Sequence, residues 1–329
     1  MDRMERKIYM VGIIAFVISC AITIHYIYKL NFFTPVHGQA PIKHKYHFVL
    51  VPEELDNDYW RLVEKGAKKA AAERGILLEY LGPEQANIEK HLTTLEMAAA
   101  SKVDGIITQG LTDEQFTPLI NRIVDADIPV ITIDTDAPKS NRIAYIGTDN
   151  YYSGYLAGSA LIHDTDGKVK VGIITGDLWT NHQQLRVKGF MDAIKSQKRI
   201  SVVGIEESKI TRVGAAEKAY KLMQEHPEVN AFYGTSALDG IGIAQVAEQL
   251  SKKPYIIGYD TLPETVVYME KGIIRATVTQ KPFEMGYGAV QMMVEAIHGK
   301  AVAPIKHTST TILRKSDLHK IMPQEALIR

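Results

Sequence analysis

The sequence predicts an α/β protein of two lobes, each a parallel β-sheet flanked by helices, preceded by one N-terminal transmembrane helix. Three observations support this prediction. The 329-residue chain is long enough for two domains of ordinary size. From residue 46 onward, short β-branched runs alternate with amphipathic segments of helix length, which is typical of βαβ units and parallel sheets. Residues 8–28 form a long apolar run.

The N-terminal membrane helix is predicted from residues 8–28 (IYMVGIIAFVISCAITIHYIY), which contain no Asp, Glu, Lys or Arg. As an α-helix this run would be about 30 Å long, which matches the hydrocarbon core of a bilayer. Arg3, Arg6 and Lys7 precede the run, and Lys29 follows it directly. This charge bias favours a single-pass signal anchor in the cell membrane, with the rest of the chain outside the cytoplasm.

Two alternatives to an uncleaved anchor remain open for this segment. A cleaved signal peptide has a shorter apolar core and ends at a small-residue cleavage site, whereas this run is long and shows no clear A-x-A. Residues 17–20 (VISC) resemble a lipobox, which would place a lipid on Cys20, although residues 21–28 stay apolar. All three interpretations place the folded part outside the cytoplasm.

A short tether is predicted at residues 29–45, which contain two prolines and a glycine among mixed polar residues. The 38 basic and 38 acidic residues of the chain balance, which argues against a general nucleic-acid binder. Residues 1–45 hold six of the basic and two of the acidic residues, so the exported part is mildly acidic. The single cysteine excludes an internal disulfide and a cysteine-rich zinc site.

Nine strands and nine helices are predicted in the folded part. The strands are residues 47–51, 77–81, 103–109, 129–134, 169–175, 200–205, 231–235, 255–259 and 276–279. The helices are residues 58–74, 84–100, 113–127, 152–163, 181–196, 212–226, 238–250, 263–271 and 282–298. Ligands of open parallel sheets bind beyond the carboxyl ends of the strands. The residues that follow these strands are rich in carboxylates, amides, hydroxyls and aromatic rings, and they are poor in nucleophile–base pairs and in glycine-rich phosphate loops.

Seven short motifs follow one another along the folded part. They are residues 57–60 (NDYW), 104–107 (DGII), 128–134 (IPVITID), 148–158 (TDN, then G, then AG), 186–190 (RVKGF), 258–260 (GYD) and 277–280 (TVTQ). In this order and spacing they resemble the ribose/galactose-type periplasmic binding proteins, a group related to the effector-binding core of lactose-repressor-type regulators. The resemblance covers roughly residues 46–315, which is nearly the whole exported part.

The resemblance implies a type I periplasmic-binding-protein fold, with a ligand in the cleft between the lobes. The implied bounds are residues 46–149 and 281–308 for lobe one, and residues 150–280 and 309–329 for lobe two. The chain would cross between the lobes near Asp149, near Gln280 and at residues 308–311. The sequence departs from the family pattern after the seventh predicted strand, where it has Ser236 and not the usual Asn-Asp, so the ligand's hydroxyl pattern cannot be copied from a relative.

The residues at the strand ends suit a monosaccharide, because aromatic rings cover its C–H faces while carboxylates, amides and arginine bind its hydroxyls. The candidate stacking residues are Tyr59, Trp60 and Trp179. The candidate hydroxyl-binding residues are Asn57, Asp134, Arg186, Ser236, Asp260 and Gln280. Structural alternatives stay open: either ring of the Tyr59–Trp60 pair could pack on the core, Asp260 could cap the next helix, and Arg186 could lie in a surface salt bridge.

The predicted function is therefore that of a membrane-anchored receptor for a pentose or hexose, which signals by hinge closure to a membrane sensor histidine kinase. The alternative is the substrate-binding component of a sugar ABC importer, whose partner would be an ABC permease. A third hypothesis is a membrane-tethered enzyme that acts on sugars. We expect no catalytic residue, no metal, no cofactor and no nucleic-acid partner.

Overall fold

The computed structural model describes residue 10 and residues 13–25, 44–55 and 57–319, and the chain divides into two compact units, residues 1–44 and 45–329. In the first unit residues 13–25 are helical, and the free thiol of Cys20 is exposed. Within the described residues, no helix is both long enough and apolar enough to cross a membrane. The predicted anchor extends beyond the described residues at both ends, and the predicted tether lies outside them apart from residues 44 and 45.

Strands and helices alternate through the described part of the second unit. The strands are β1 His47–Val51, β2 Leu77–Tyr80, β3 Gly105–Thr108, β4 Val130–Ile133, β5 Ala144–Gly147, β6 Val169–Thr175, β7 Ile200–Glu207, β8 Ala231–Gly234, β9 Tyr255–Tyr259, β10 Ile274–Thr279, β11 Ile305–His307 and β12 Thr311–Arg314. The helices are α1 Asp58–Arg74, α2 Ile88–Ala100, α3 Asp113–Asp125, α4 Asn150–Asp164, α5 Asn181–Ile194, α6 Arg212–Glu225, α7 Ala237–Gln249, α8 Pro263–Glu270 and α9 Pro282–Ile297. A 3₁₀ turn follows at Lys315–Asp317.

The strands form two sheets of six, one in each lobe. The strand order is β11-β5-β4-β3-β1-β2 in the first lobe and β12-β10-β9-β8-β6-β7 in the second. The described pairings are parallel except that β12 runs antiparallel to β10. The chain passes between the sheets after β5, after β10 and between β11 and β12. The predicted two-lobed α/β architecture is confirmed.

Helices cover both faces of each sheet, which explains why the strands are almost continuously apolar. In β1, Phe48 and Leu50 pack with α1 and α9, while Val49 and Val51 pack with α2 and α3 on the other face. The second sheet is covered in the same way, by α4 and α5 on one face and by α6, α7 and α8 on the other. Polar residues at the strand ends therefore lie at the rim of two well-packed cores.

Three strands were absent from the sequence prediction, although the nine predicted strands are all present. The missing strands are β5, β11 and β12, of three or four residues each. All three residues of β11 are exposed, so this strand carries no apolar pattern and forms by pairing with the edge of β5. The helix predicted from residue 84 begins at Ile88, because the Asn87 side chain accepts the backbone N–H of Lys90 at 2.9 Å and caps the helix there.

In the second lobe, α4 and α5 touch backbone to backbone through glycine. A Cβ atom on Gly154 would lie 2.0 Å from the carbonyl oxygen of Arg186, and one on Gly189 would lie 2.0 Å from that of Tyr151. No side chain fits at such distances. The two glycines therefore set the separation of the helices, and with it the position of the Arg186 backbone.

The first lobe repeats this contact between α1 and α9. A Cβ atom on Gly66 would lie 2.0 Å from the carbonyl oxygen of Phe283, and one on Gly286 would lie 2.0 Å from that of Val63. Each lobe thus contains a helix pair that only glycine permits to approach this closely.

We predict that Gly154→Ala lowers the melting temperature of the protein. Forcing α4 and α5 apart lowers the free energy of unfolding by about 2 kcal/mol. The higher helix propensity of alanine offsets up to about 1 kcal/mol of this loss. The net loss corresponds to a decrease of about 2–4 °C in a thermal melt.

Gly258→Ala is the matched control, because a Cβ atom there would lie 3.6 Å from Gly240 Cα and from Thr277 Oγ1, which is ordinary contact. Equal melting temperatures for Gly154→Ala and the control would contradict the prediction.

Candidate functional site

A small cavity of about 40 Å³ lies between the lobes, lined by residues that follow strands of both sheets. The lining residues are Glu53, Glu54, Asn57, Tyr59, Trp60, Asp134, His182, Gln183, Arg186, Ile210, Ser236, Ala237, Leu238, Asp260 and Gln280. Small-molecule sites usually measure at least about 300 Å³. The structure is therefore a nearly closed form, and a ligand of sugar size enters only when the lobes separate.

Most of the ligand-binding residues predicted from sequence line this one cavity. They are Asn57, Tyr59, Trp60, Asp134, Arg186, Ser236, Asp260 and Gln280. They come from six separate stretches of the chain, after β1, β4, β8, β9 and β10 and within α5. The structure thus brings together the two sets of candidates that the sequence placed in different lobes.

Trp179 is the exception among the predicted residues. It does not line the cavity, and its side chain is 68% exposed. The Asp177 carboxylate accepts the backbone N–H groups of Trp179 and Thr180 in a turn just before α5. This turn leaves the indole ring at the surface, so the described geometry does not support its use as a stacking residue.

The aromatic side of the cavity belongs to the first lobe. Tyr59 and Trp60 are buried and lie edge to face, with ring centroids 5.4 Å apart. The Tyr59 hydroxyl donates to Asp134 Oδ1, and Gln109 Nε2 donates to Asp134 Oδ2 at 3.1 Å. The Asp134 carboxylate is therefore held from both sides, with its remaining acceptor capacity available to a ligand.

Asn57 and Ser236 occupy the N-caps of α1 and α7. The Asn57 side chain accepts the backbone N–H of Tyr59 at 2.9 Å and donates to Glu54 at 2.6 Å. The backbone N–H of Ser236 donates to Asp239 at 2.8 Å. Both residues thus start helices at the cavity wall, and this structural role places their polar groups beside the cavity.

Asp134 and Asp260 hold equivalent places in the two lobes. Each comes directly after a central strand and has a left-handed backbone, with φ of 63° for Asp134 and 61° for Asp260. The Asp134 carbonyl accepts from Tyr145 and Asn150, and the Asp260 carbonyl accepts from Thr277 at 2.8 Å. A strained backbone held by such bonds is typical of functional sites.

Arg186 is a buried cation in the wall of the second lobe. Its guanidinium donates to Asn150 Oδ1 at 2.8 Å, to the Thr235 carbonyl at 2.9 Å and to Gln280 Oε1 at 3.0 Å. It also lies 4.3 Å from the centroid of the Tyr259 ring. The Gln280 amide in turn donates to both oxygens of Asp260, at 3.0 and 3.2 Å. These contacts order Arg186, Gln280 and Asp260 as one connected polar group.

The cavity is rich in carboxyl groups, and burial dominates their ionisation. Burial raises the pKa of Asp260 to about 7, although Arg186 and the Gln280 amide act to lower it. Burial opposes the charge of Arg186, but Tyr259, Asp134 and Asp260 outweigh this effect and raise its pKa. Burial also lowers the pKa of His182, so this imidazole is neutral at pH 7. Arg186 is therefore the cation among the described residues that line the cavity.

Sequence reasoning missed several polar residues of the cavity. Glu53 and Glu54 follow β1 directly, where the strand-end rule already directs attention. His182 and Gln183 lie one helical turn before Arg186 and share its face of α5, so helical spacing was the available signal.

A second cavity, of about 400 Å³, lies beside the passages between the lobes. It is larger, yet seven of its fifteen lining residues are exposed, including Tyr151, Leu185 and His307. We place the candidate site in the smaller cavity, because the buried polar groups of both lobes converge there.

A comparison with protein-family models matches residues 48–301 to the periplasmic binding protein domain. This match covers most of the chain. The chain belongs to the periplasmic binding protein family. The resemblance inferred from the seven motifs is thereby confirmed, and the two-lobed architecture is the type I fold of this family.

Solved and curated members of the family resemble this chain over most of its length. A crystal structure of GanP, a glucose-galactose binding protein from Geobacillus stearothermophilus, is 64% identical, with a TM-score of 0.82 over 84% of this chain and 99% of GanP. XylFII in the XylFII-LytSN complex is 36% identical, with a TM-score of 0.79 over 83% of this chain and 99% of that chain. The ribose import binding protein RbsB of Escherichia coli (strain K12) is 24% identical over 254 residues, covering 77% of this chain and 85% of RbsB.

The lobes of this periplasmic binding protein touch outside the cavity, at the N-terminus of α5. The backbone N–H of Asn181 donates to the carbonyl of Leu111 in the first lobe at 2.8 Å. The Asn181 side chain donates to Asp113 at 3.2 Å and to the Asp136 carbonyl at 3.2 Å. Asn181 therefore joins the second lobe to the first independently of the cavity residues.

We predict that Asn181→Ala shifts the ligand-free protein towards the open form. Loss of the side-chain hydrogen bonds weakens the closed form by about 1–2 kcal/mol, which lowers the closed-to-open ratio about tenfold. Small-angle X-ray scattering would detect the change as a larger radius of gyration.

The control is Gln184→Ala, because the Gln184 side chain donates to the Leu178 carbonyl at 3.0 Å within the same lobe. An unchanged radius of gyration for Asn181→Ala would show that this contact does not hold the lobes together.

Proposed function

We propose that this protein is an extracytoplasmic, membrane-anchored receptor that binds a monosaccharide, a pentose or hexose, in the cleft between its lobes. One observation carries the proposal: buried carboxylates, an arginine, an amide and two aromatic rings from both lobes converge on one cavity. This combination suits a molecule with apolar faces and a rim of hydroxyls. GanP, at 64% identity, is described as a glucose-galactose binding protein, so D-glucose and D-galactose are the first ligands to test.

In this proposal each lobe supplies part of the sugar site. Tyr59 and Trp60 cover the apolar faces, and Asp134 accepts from hydroxyls on the first-lobe side. Asp260, Gln280 and Arg186 bind hydroxyls on the second-lobe side, with Asn57 and Ser236 at the rim, and we leave Trp179 outside the site. Because only the closed form satisfies polar groups from both lobes, sugar binding favours closure.

The proposed chain organisation keeps the bounds expected from sequence. Residues 8–28 form the membrane anchor, which is supported by their length and their lack of charged residues. Residues 29–45 form the tether. Lobe one comprises residues 46–149 and 281–308, and lobe two comprises residues 150–280 and 309–329. Membership of the periplasmic binding protein family supports an extracytoplasmic location for both lobes.

We propose that a membrane sensor histidine kinase recognises the closed form. A receptor on a short tether stays beside one membrane site. This suits signalling to a fixed partner better than delivery of sugar to an importer. XylFII, at 36% identity, was solved in complex with a second protein, LytSN, which supports a protein partner for this fold. The alternative, the binding component of a sugar ABC importer, is supported by RbsB, a ribose import binding protein at 24% identity.

The receptor proposal predicts saturable stabilisation by a sugar without turnover. The full chain in detergent is melted with a panel that includes D-glucose, D-galactose, D-xylose, L-arabinose and D-ribose. A cognate sugar at about one hundred times its dissociation constant should add about 2.7 kcal/mol to the stability. Product formation during the incubation would support the sugar-enzyme hypothesis, and no stabilisation by any sugar would refute the receptor.

Deletion of the gene separates sensing from transport. If the protein is a sensor, the deletion abolishes sugar-induced transcription but spares sugar uptake by a constitutively expressed importer. Loss of uptake with induction retained would support the importer alternative instead.

The same strain tests how the chain is anchored. Complementation with a Cys20→Ser chain should restore the response in full if residues 8–28 are an uncleaved anchor, since no lipid on Cys20 is then needed. Failure of this variant, when the wild-type chain succeeds and both are expressed equally, would support the lipoprotein.

A further inference from the structure

Glu53 differs from the other carboxyl groups of the cavity. Glu54 accepts from Asn57, Asp134 accepts from Tyr59 and Gln109, and Asp260 accepts from Gln280. Glu53 is only 8% exposed and lines the cavity, yet the described part of the chain offers its carboxyl no hydrogen bond and no ion pair. Its hydrogen-bonding capacity is therefore unused, and it is buried beside the space that a ligand would occupy.

The charges around Glu53 oppose its ionisation. Glu54 adjoins it after β1, Asp134 lies after β4, and Asp177 lies after β6. The positive charge that faces these groups belongs to Arg186, whose N–H groups already bind the neutral oxygens of Asn150, Thr235 and Gln280.

Other titratable groups of the cavity wall do not relieve this repulsion. His182 is neutral, burial keeps the Tyr59 phenol protonated, and Asp260 adds a further carboxyl group. An unpaired charge inside a protein is costly, so the unpartnered carboxyl is the group that keeps its proton.

We propose that Glu53 is a further sugar-contacting residue, which stands in the cleft as a neutral acid at pH 7 and donates a hydrogen bond to a sugar oxygen. This proposal rests on the sugar-receptor function proposed above. Asp134 and Asp260, when ionised, can only accept hydrogen bonds. A protonated Glu53 adds a donor, and it can therefore bind the ring oxygen of a pyranose, which has no hydrogen of its own.

The protonation of Glu53 links sugar affinity to pH. Burial, with Glu54, Asp134 and Asp177, raises the pKa of Glu53 to about 8, although Arg186 acts to lower it. Above that pH the group loses its donor hydrogen and becomes an anion beside Asp134. Sugar affinity should then fall about tenfold between pH 7 and pH 9. Asp260, with a pKa of about 7, also ionises in this range, so the variant Glu53→Gln is needed to separate the two groups.

The test is isothermal titration calorimetry of the full chain, with the panel sugar that stabilises the wild type most. Glu53→Gln keeps a donor and cannot ionise, so its affinity at pH 7 should lie within about threefold of the wild type and should not fall by pH 9. Glu53→Ala removes the donor and should bind about tenfold more weakly at pH 7. Glu84→Gln, at an exposed position outside the cavity, should keep the wild-type profile.

A second measurement needs no variant of Glu53. Sugar binding to the wild type at pH 9, titrated in two buffers of different ionisation enthalpy, should take up nearly one proton.

The outcomes separate the two proposals. A parallel loss of affinity in the wild type and Glu53→Gln, no proton uptake, or wild-type affinity in Glu53→Ala would overturn the role of Glu53 and leave the receptor intact. If no panel sugar binds the wild type, the receptor function fails, and the role of Glu53 fails with it.

Discussion

The cleft depends on one buried cation. The Arg186 guanidinium is held by the neutral oxygens of Asn150, Thr235 and Gln280, and within the described residues it forms no direct ion pair with a carboxylate. Its charge nevertheless offsets the carboxyl groups that surround the cavity. Ionised carboxyl groups in one small cavity repel each other, so the charge of Arg186 favours the closed form while it leaves the carboxylates available to a ligand.

The two lobes supply this polar cleft from the same structural plan. Each has a six-stranded sheet, a helix pair in backbone contact through glycine, and an aspartate with a left-handed backbone after a central strand. The rigid helix contacts fix where the strand ends lie, and the strained aspartates direct polar groups to the space between the lobes. Stability and the arrangement of the cavity residues are thus linked, since Tyr59 and Trp60 also belong to the core of the first lobe.

The long apolar strands and the polar residues that follow them were predictable from sequence, because both follow from the burial of a parallel sheet on two faces. The strands β5, β11 and β12 were not, because each has only three or four residues, and β11 and β12 form by pairing with strands that are distant in sequence. At the site, the surface position of Trp179 could not be predicted from sequence. The ring lies there because the backbone forms a turn capped by the Asp177 carboxylate. Glu53 was overlooked for a similar reason: its lack of a partner is a property of the assembled cavity.

Gln280 lies in the connection between β10 of the second lobe and α9 of the first. This connection is one of the segments that must bend when the lobes separate, and the same side chain contacts Arg186, Asp260 and Thr148. Bending the connection therefore also disturbs these hydrogen bonds of Gln280 in the wall of the cleft. A molecule enclosed in the cleft can leave only when the lobes separate, so its residence time is limited by the lifetime of the closed form.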